Sequence, residues 1–161
     1  MFSIGDKIVY PMHGAGIIEA IEEKEILGEK QKYYIMKLPI GEMKVMVPLD
    51  NVDEIGLRRV INTKEFEKVV EVLKDKDITM SSNWNHRYRA HLEKIKSGSI
   101  YEVAEVVRNL MFRERKKGLS TSERKMLDNA KQILISELIL VKGILETEAE
   151  DMLESILDQT S

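Results

Sequence analysis

Residues 120–143 read STSERKMLDNAKQILISELILVKG, and their periodicity decides the fold of the C-terminal half. Ser120 followed by Glu123 is the pattern of a capping box: the hydroxyl accepts from the third backbone N–H and the carboxylate reaches back. Gly118, just before it, suits the left-handed position that closes a preceding helix. Downstream, Leu127, Ala130, Ile133, Leu134, Leu138 and Val141 recur at helical spacing, and Ile135, Ile139 and Leu140 widen the apolar face. A helix apolar over so much of its circumference belongs at the centre of a bundle. Its most apolar run, Ile133 to Val141, is interrupted by Ser136 and Glu137. That run falls far short of the roughly 20 residues that span a bilayer.

The same punctuation recurs on either side. Asn62 with Glu65 is placed to cap a helix containing Phe66, Val69, Val70 and Leu73. Ser99 to Glu102 follows Gly98, and Thr147 to Glu150 follows Gly143; both have capping-box spacing. Between them, Ile100, Val103, Ala104, Val107, Leu110 and Met111 form one stripe at a 3.6 period. A bundle of four or five helices is expected, the helix over 63–74 being its first member or a connector.

Upstream the period changes. Lys7 to Tyr10 is rich in β-formers and stops at Pro11; Gly14 and Gly16 read as a turn. Ile17 to Leu27 reads as one long strand ending at Gly28; Tyr33 to Leu38 stops at Pro39; Met43 to Val47 alternates and stops at Pro48. Short strands separated by Gly and Pro predict a small twisted sheet or open barrel. The fold class is therefore α+β, with a β domain over 1–62 and an all-α domain over 63–161.

Composition narrows the function classes. With 43% apolar and 33% charged residues, a packed core is expected and global disorder is not. There is no Cys, which removes disulfides, thiolate metal sites and a Cys nucleophile. The N-terminus lacks a basic segment, apolar run and cleavage site in order, so a cytoplasmic protein is expected. No Gly-x4-Gly-Lys-Ser/Thr phosphate loop, Gly-x-Gly-x-x-Gly turn or Gly-x-Ser-x-Gly elbow is present. His13, His86 and His91 make no His-Glu-x-x-His pair. These absences argue against an enzyme, a metal site and a cofactor.

The net charge of −3 conceals an uneven distribution: −2 over residues 1–62, +5 over 63–142 and −6 over 143–161. The middle block alone is suited to phosphates. Within it, residues 81–96 hold the one Trp of the chain, Trp84, with Arg87, Arg89, Lys94 and Lys96. Cations neutralise the nucleic-acid backbone, and a flat ring wedges at a base step or stacks on an unpaired base. Two readings of Trp84 stay open. It shares a helical face with Tyr88, Leu92 and Ile95, as a core residue would. Yet it opens that helix, where a side chain can project past the bundle. Arg124 and Lys125 stand in the first turns of a helix, where cations are unfavourable; a phosphate partner would account for them.

The chain resembles the CarD/CdnL family of bacterial transcription regulators. The resemblance rests on Gly5-Asp-Lys-Ile-Val-Tyr-Pro-Met-His-Gly-Ala-Gly16, Val47-Pro48, Asn83-Trp84, Arg87-Tyr88, Leu92-Glu-Lys94, Val103-Ala-Glu-Val-Val-Arg108, Lys117-Gly-Leu-Ser120 and Ser136-Glu-Leu138. The N-terminal motif is also similar to the polymerase-interaction module of transcription-repair coupling factors. The resemblance implies a Tudor-like N-terminal domain that binds the β subunit of RNA polymerase, and a helical domain that touches promoter DNA. It implies that Trp84 wedges into the minor groove at the upstream edge of the bubble and holds the open promoter complex. It implies that Arg87, Arg89, Arg124 and Lys125 hold the DNA backbone. On the polymerase-facing strands, where family members often carry Arg, this chain has Lys24 and Met46. Lys keeps the charge without the bidentate fork, and Met keeps only an apolar contact. The alternative from a different class is a protein–protein adaptor of the transcription machinery with no DNA contact.

Overall fold

The computed structural model describes residues 1–158. Strands β1 (Lys7–Tyr10), β2 (Gly14–Ile26), β3 (Glu29–Lys37), β4 (Lys44–Pro48) and β5 (Arg58–Arg59) form one antiparallel sheet in the order β4-β3-β2-β1-β5. A 3-10 turn (Leu49–Asn51) and the one-turn helix α1 (Val52–Ile55) link β4 to β5. Five helices follow: α2 (Thr63–Lys74), α3 (Trp84–Lys96), α4 (Ile100–Lys116), α5 (Thr121–Lys142) and α6 (Glu146–Asp158). Among the described residues no helix is long and apolar enough to cross a membrane.

Period-2 alternation splits the sheet into two faces. Ile8, Ile18, Tyr34, Met36, Leu38 and Val47 form its core, closed at the edge by Leu49, Val52, Ile55 and Leu57. A bulge in β2 between Ile18 and Ala20 resets its register against β3, and along β3 Tyr33 and Ile35 alternate with Tyr34 and Met36 to face the other side. Gly14 and Gly16 lie inside β2 rather than in a turn, and each is required by a close approach. A Cβ on Gly14 would sit 2.7 Å from Ser136 Oγ of α5, and one on Gly16 would sit 2.6 Å from the carbonyl of Lys37 in β3. β5 was not foreseen: two residues carry no period, and they join the sheet by pairing with Ile8 and Val9.

The wide apolar face of α5 has two clients. Met126, Leu127, Ala130, Ile133, Leu134 and Leu138 pack into the bundle core with α2, α4 and α6, while Leu140 packs against Val9 and Ala15 of the sheet. The caps differ from the sequence pattern in detail. Asn62 and Glu65 form the full reciprocal box on α2. Ser99 makes no side-chain cap, and its own backbone N–H, which Glu102 would reach in a full box, donates to Ser97 Oγ at 3.2 Å. The last box is displaced: α6 starts at Glu146, and Glu148, not Glu150, reaches back to the N–H of Leu145 at 3.2 Å.

Candidate nucleic-acid interface

α3 begins at Trp84 because Asn83 caps it, its side chain accepting from the N–H of His86 at 3.1 Å. The first turn of α3 contains no acidic residue, so no carboxylate there neutralises the positive end of its macrodipole. The stripe of Trp84, Tyr88, Leu92 and Ile95 emerges from the core along its length. Ile95 is buried, Leu92 and Tyr88 are half-buried, and Trp84 is 40% exposed. Trp84 lies at the exposed end of this stripe, which resolves its two readings toward the surface.

The indole is held from two sides. Its ring stacks on Tyr88 with centroids 5.0 Å apart and planes 15° apart. Its Nε1–H donates to Ser120 Oγ at 3.1 Å. Ser120 in turn caps α5 by accepting the N–H of Glu123 at 3.2 Å. Glu123 does not complete the expected box. Its carboxylate turns to Arg87, which donates to both oxygens at 2.8 and 3.2 Å.

Arg87 was expected among the DNA contacts, and its placement excludes it. It is 3% exposed, pairs with the equally buried Glu123, and donates to the carbonyl of Ser81 at 3.1 Å. A guanidinium so enclosed has no route to a phosphate. Its fork fixes the loop before Trp84 and the first turn of α5 to each other. Burial raises the Glu123 pKa, but the hydrogen bond and charge of Arg87, the Ser120 hydroxyl and the Arg113 charge outweigh it and hold it below the usual carboxylate value. Sequence showed Ser120 only as a cap and Glu123 only as its partner; nothing in their spacing revealed that both serve α3.

The other expected cations are exposed and differ in their company. Lys125 borders a shallow groove between α3 and α5 together with Tyr88, Leu92 and Met126, so it shares the rim of the Trp84–Tyr88 stack. Arg89 is exposed on α3. Neither Arg89 nor Lys125 is in an ion pair among the described residues. Arg124 turns instead toward α4 and pairs with Glu114 at 2.5 Å. That pair accounts for a cation early in α5 without a phosphate.

Behind the Arg87–Glu123 pair lies His91, 3% exposed. Arg108 donates to the Asn109 side-chain oxygen from Nε and Nη2, which leaves the Asn109 amide nitrogen facing His91 Nε2 at 3.2 Å. Desolvation pushes the His91 pKa down to about 4, with Lys94 and Arg87 adding to the shift and Glu123 opposing it. The ring is neutral at physiological pH.

On the sheet, Lys24 and Met46 share the face opposite the Tyr34 core. Met46 pairs with Ile35, and Lys24 with Gln31, an even number of residues along the same strand. Met46 is 40% exposed; the Lys24 side chain is 46% exposed, in a loose 3.8 Å pair with Glu22. Among the described residues no group of three or more His, Asp or Glu is arranged to hold a metal ion.

Two family models match this chain: "CarD-like/TRCF RID domain" over residues 2–61 and "CarD, C-terminal domain" over residues 68–154. The chain belongs to the CarD family. A relative in Bacillus subtilis (strain 168), named "Putative transcription factor YdeB", is 49% identical over 146 residues, covering 91% of this chain and 95% of that protein. The solution NMR structure of the 72-residue N-terminal domain of Myxococcus xanthus CarD is 36% identical, covers 37% of this chain and 79% of that one, and has a TM-score of 0.32. CarD proteins are transcription factors and not enzymes, and the N-terminal match is to an RNA polymerase interaction domain. The protein is therefore a CarD-like transcription factor with RNA polymerase as its partner.

Proposed function

We propose that this CarD-family protein docks on the β subunit of RNA polymerase through the Lys24–Met46 face of its sheet and sets Trp84 against promoter DNA. There the ring wedges into the minor groove at the upstream edge of the bubble and slows re-annealing. Arg89 and Lys125 hold the backbone on either side, and Arg124 joins them by exchanging Glu114 for a phosphate. Arg87 acts from behind by holding the Trp84 loop.

The observation that carries this reading is the posture of Trp84. Indoles are highly buried on average. This one stands 40% exposed at a helix start, its N–H satisfied by Ser120 and one face covered by Tyr88. A ring supported in this way needs little ordering on binding, which favours stacking on an unpaired base or wedging at a step.

No chemistry is required. A factor that binds the open complex better than the closed one stabilises it by that difference alone. Docking on polymerase supplies the effective concentration, so the modest net charge of +5 over residues 63–142 suffices. The test is open-complex lifetime after competitor challenge, with wild-type protein and Trp84→Ala. Loss of one stacking ring, at about 1–3 kcal/mol, shortens the lifetime roughly 5- to 150-fold. An unchanged lifetime with intact polymerase capture would refute the wedge.

A further inference from the structure

We propose that Arg58 and Glu137 are positioning residues that lock the sheet to the bundle, so that a polymerase-bound sheet dictates where Trp84 lies. This rests on the reading of Trp84 as the DNA-contacting group.

Glu137, with its neighbour Ser136, interrupts the apolar run of α5, and it is 1% exposed. It accepts from Arg58 Nη1 and Nη2 at 2.9 and 2.8 Å, and from the N–H of Ile61 at 2.9 Å. Arg58 belongs to β5, the short edge strand paired with β1. Its Nε donates to the carbonyl of Gly98 at 2.8 Å, and Nη1 also reaches the carbonyl of Arg59 at 3.0 Å. One guanidinium thus joins the sheet, the central helix and the turn that ends α3.

The Gly98 contact links this pair to the indole. Gly98 is in the left-handed region (φ 77°), and Pro11 of the β1–β2 turn lies against it: a Cβ there would be 3.0 Å from the proline ring. The sheet therefore touches the end of α3 opposite Trp84. α3 has 13 residues, which makes a lever of about 20 Å. A rotation of about 5° at the Gly98 end moves the indole by roughly 2 Å, over half of the 3.4 Å rise between bases.

The other contacts across this seam are individually less directional. Val9, Ala15, Val60 and Leu140 pack together, but apolar burial is non-directional. The N–H of Ala15 donates to Ser136 Oγ at 2.9 Å, and Lys7 Nζ donates to the carbonyl of Leu140 at 3.2 Å. Each is a single hydrogen bond that leaves rotation about itself free. The planar fork of Arg58 on both oxygens of Glu137 does not.

The test uses the full chain with Arg58→Met and Glu137→Met together, which leaves no unpaired buried charge, and with Arg58→Lys, which keeps the charge and loses the fork. Thermal melting, polymerase capture and open-complex lifetime are measured for each, in wild-type and Trp84→Ala backgrounds. Both variants should melt as folded proteins and capture polymerase normally. In the wild-type background the double variant should shorten the lifetime at least 5-fold, and Arg58→Lys by less. In the Trp84→Ala background neither should change it by as much as twofold, because no ring remains to be misaimed. An unchanged lifetime, an equal loss in both backgrounds, lost capture, or failure of both variants to fold would assign the pair to stability alone and overturn the proposal. If Trp84→Ala by itself leaves the lifetime unchanged, the wedge reading fails first and this one with it.

Discussion

The indole N–H of Trp84 and the hydroxyl of Ser120 are 3.1 Å apart, so the first residue of α3 and the cap of α5 form one joint. The buried Arg87–Glu123 pair lies directly beneath it. The exposed ring therefore rests on a polar network enclosed by the bundle, and the consequences for stability and for DNA contact separate.

Arg87→Met leaves the Glu123 carboxylate buried without its partner, which costs about 3–5 kcal/mol. The melting temperature should fall by roughly 6–20 °C in a chain of this size. Replacing both members by Met removes the unpaired charge and should recover most of that loss. A small effect of Arg87→Met on melting, with weakened DNA association, would return Arg87 to the phosphate contacts.

Much of this was readable in the sequence, and the parts that were not share a cause. Period 2 before residue 50 and period 3.6 after residue 62 give the α+β class, because each follows from local backbone geometry. Local spacing also located Trp84 at a helix start. It could not show that Arg87 faces Glu123, 36 positions away, or that Arg124 meets Glu114 on the neighbouring helix. Those pairings follow from how helices pack. The same holds for Ser136 and Glu137: they read as blemishes in an apolar run, and both are polar points of contact between the sheet and α5.

His91 makes folding pH-dependent in a defined direction. Its folded pKa of about 4 lies below the usual 6.5, so the unfolded chain binds more protons between those values. Stability is therefore full above about pH 7 and declines as pH falls through this window, by up to about 1.4 kcal/mol per pH unit. The depressed Glu123 carboxyl adds a further loss at lower pH, as it becomes protonated. His91→Gln keeps a partner for Asn109 and cannot titrate. Chemical denaturation from pH 7 to pH 5 should show a decline for the wild type and a much flatter profile for the variant.

Lys24→Glu and Met46→Glu should each weaken capture of the protein by RNA polymerase without lowering the melting temperature, since both side chains are at least 40% exposed. Open-complex lifetime at saturating protein should be unaffected, because the DNA-facing residues are untouched. Unchanged capture for both variants would move the docking surface off this face of the sheet.

Arg89→Gln and Lys125→Gln test the cations beside the ring. Neutralising one phosphate contact lowers the salt slope of complex formation on promoter DNA by about one. Each variant should show that decrease with no change in melting. A slope identical to wild type for both would take them out of the interface.

The most direct measurement replaces Trp84 with a photo-reactive aromatic amino acid and maps its crosslinks in the complete promoter complex. The account predicts crosslinks to DNA at the upstream edge of the bubble that require polymerase and vanish on free duplex. Crosslinks to protein alone, or to DNA at scattered positions independent of polymerase, would contradict it.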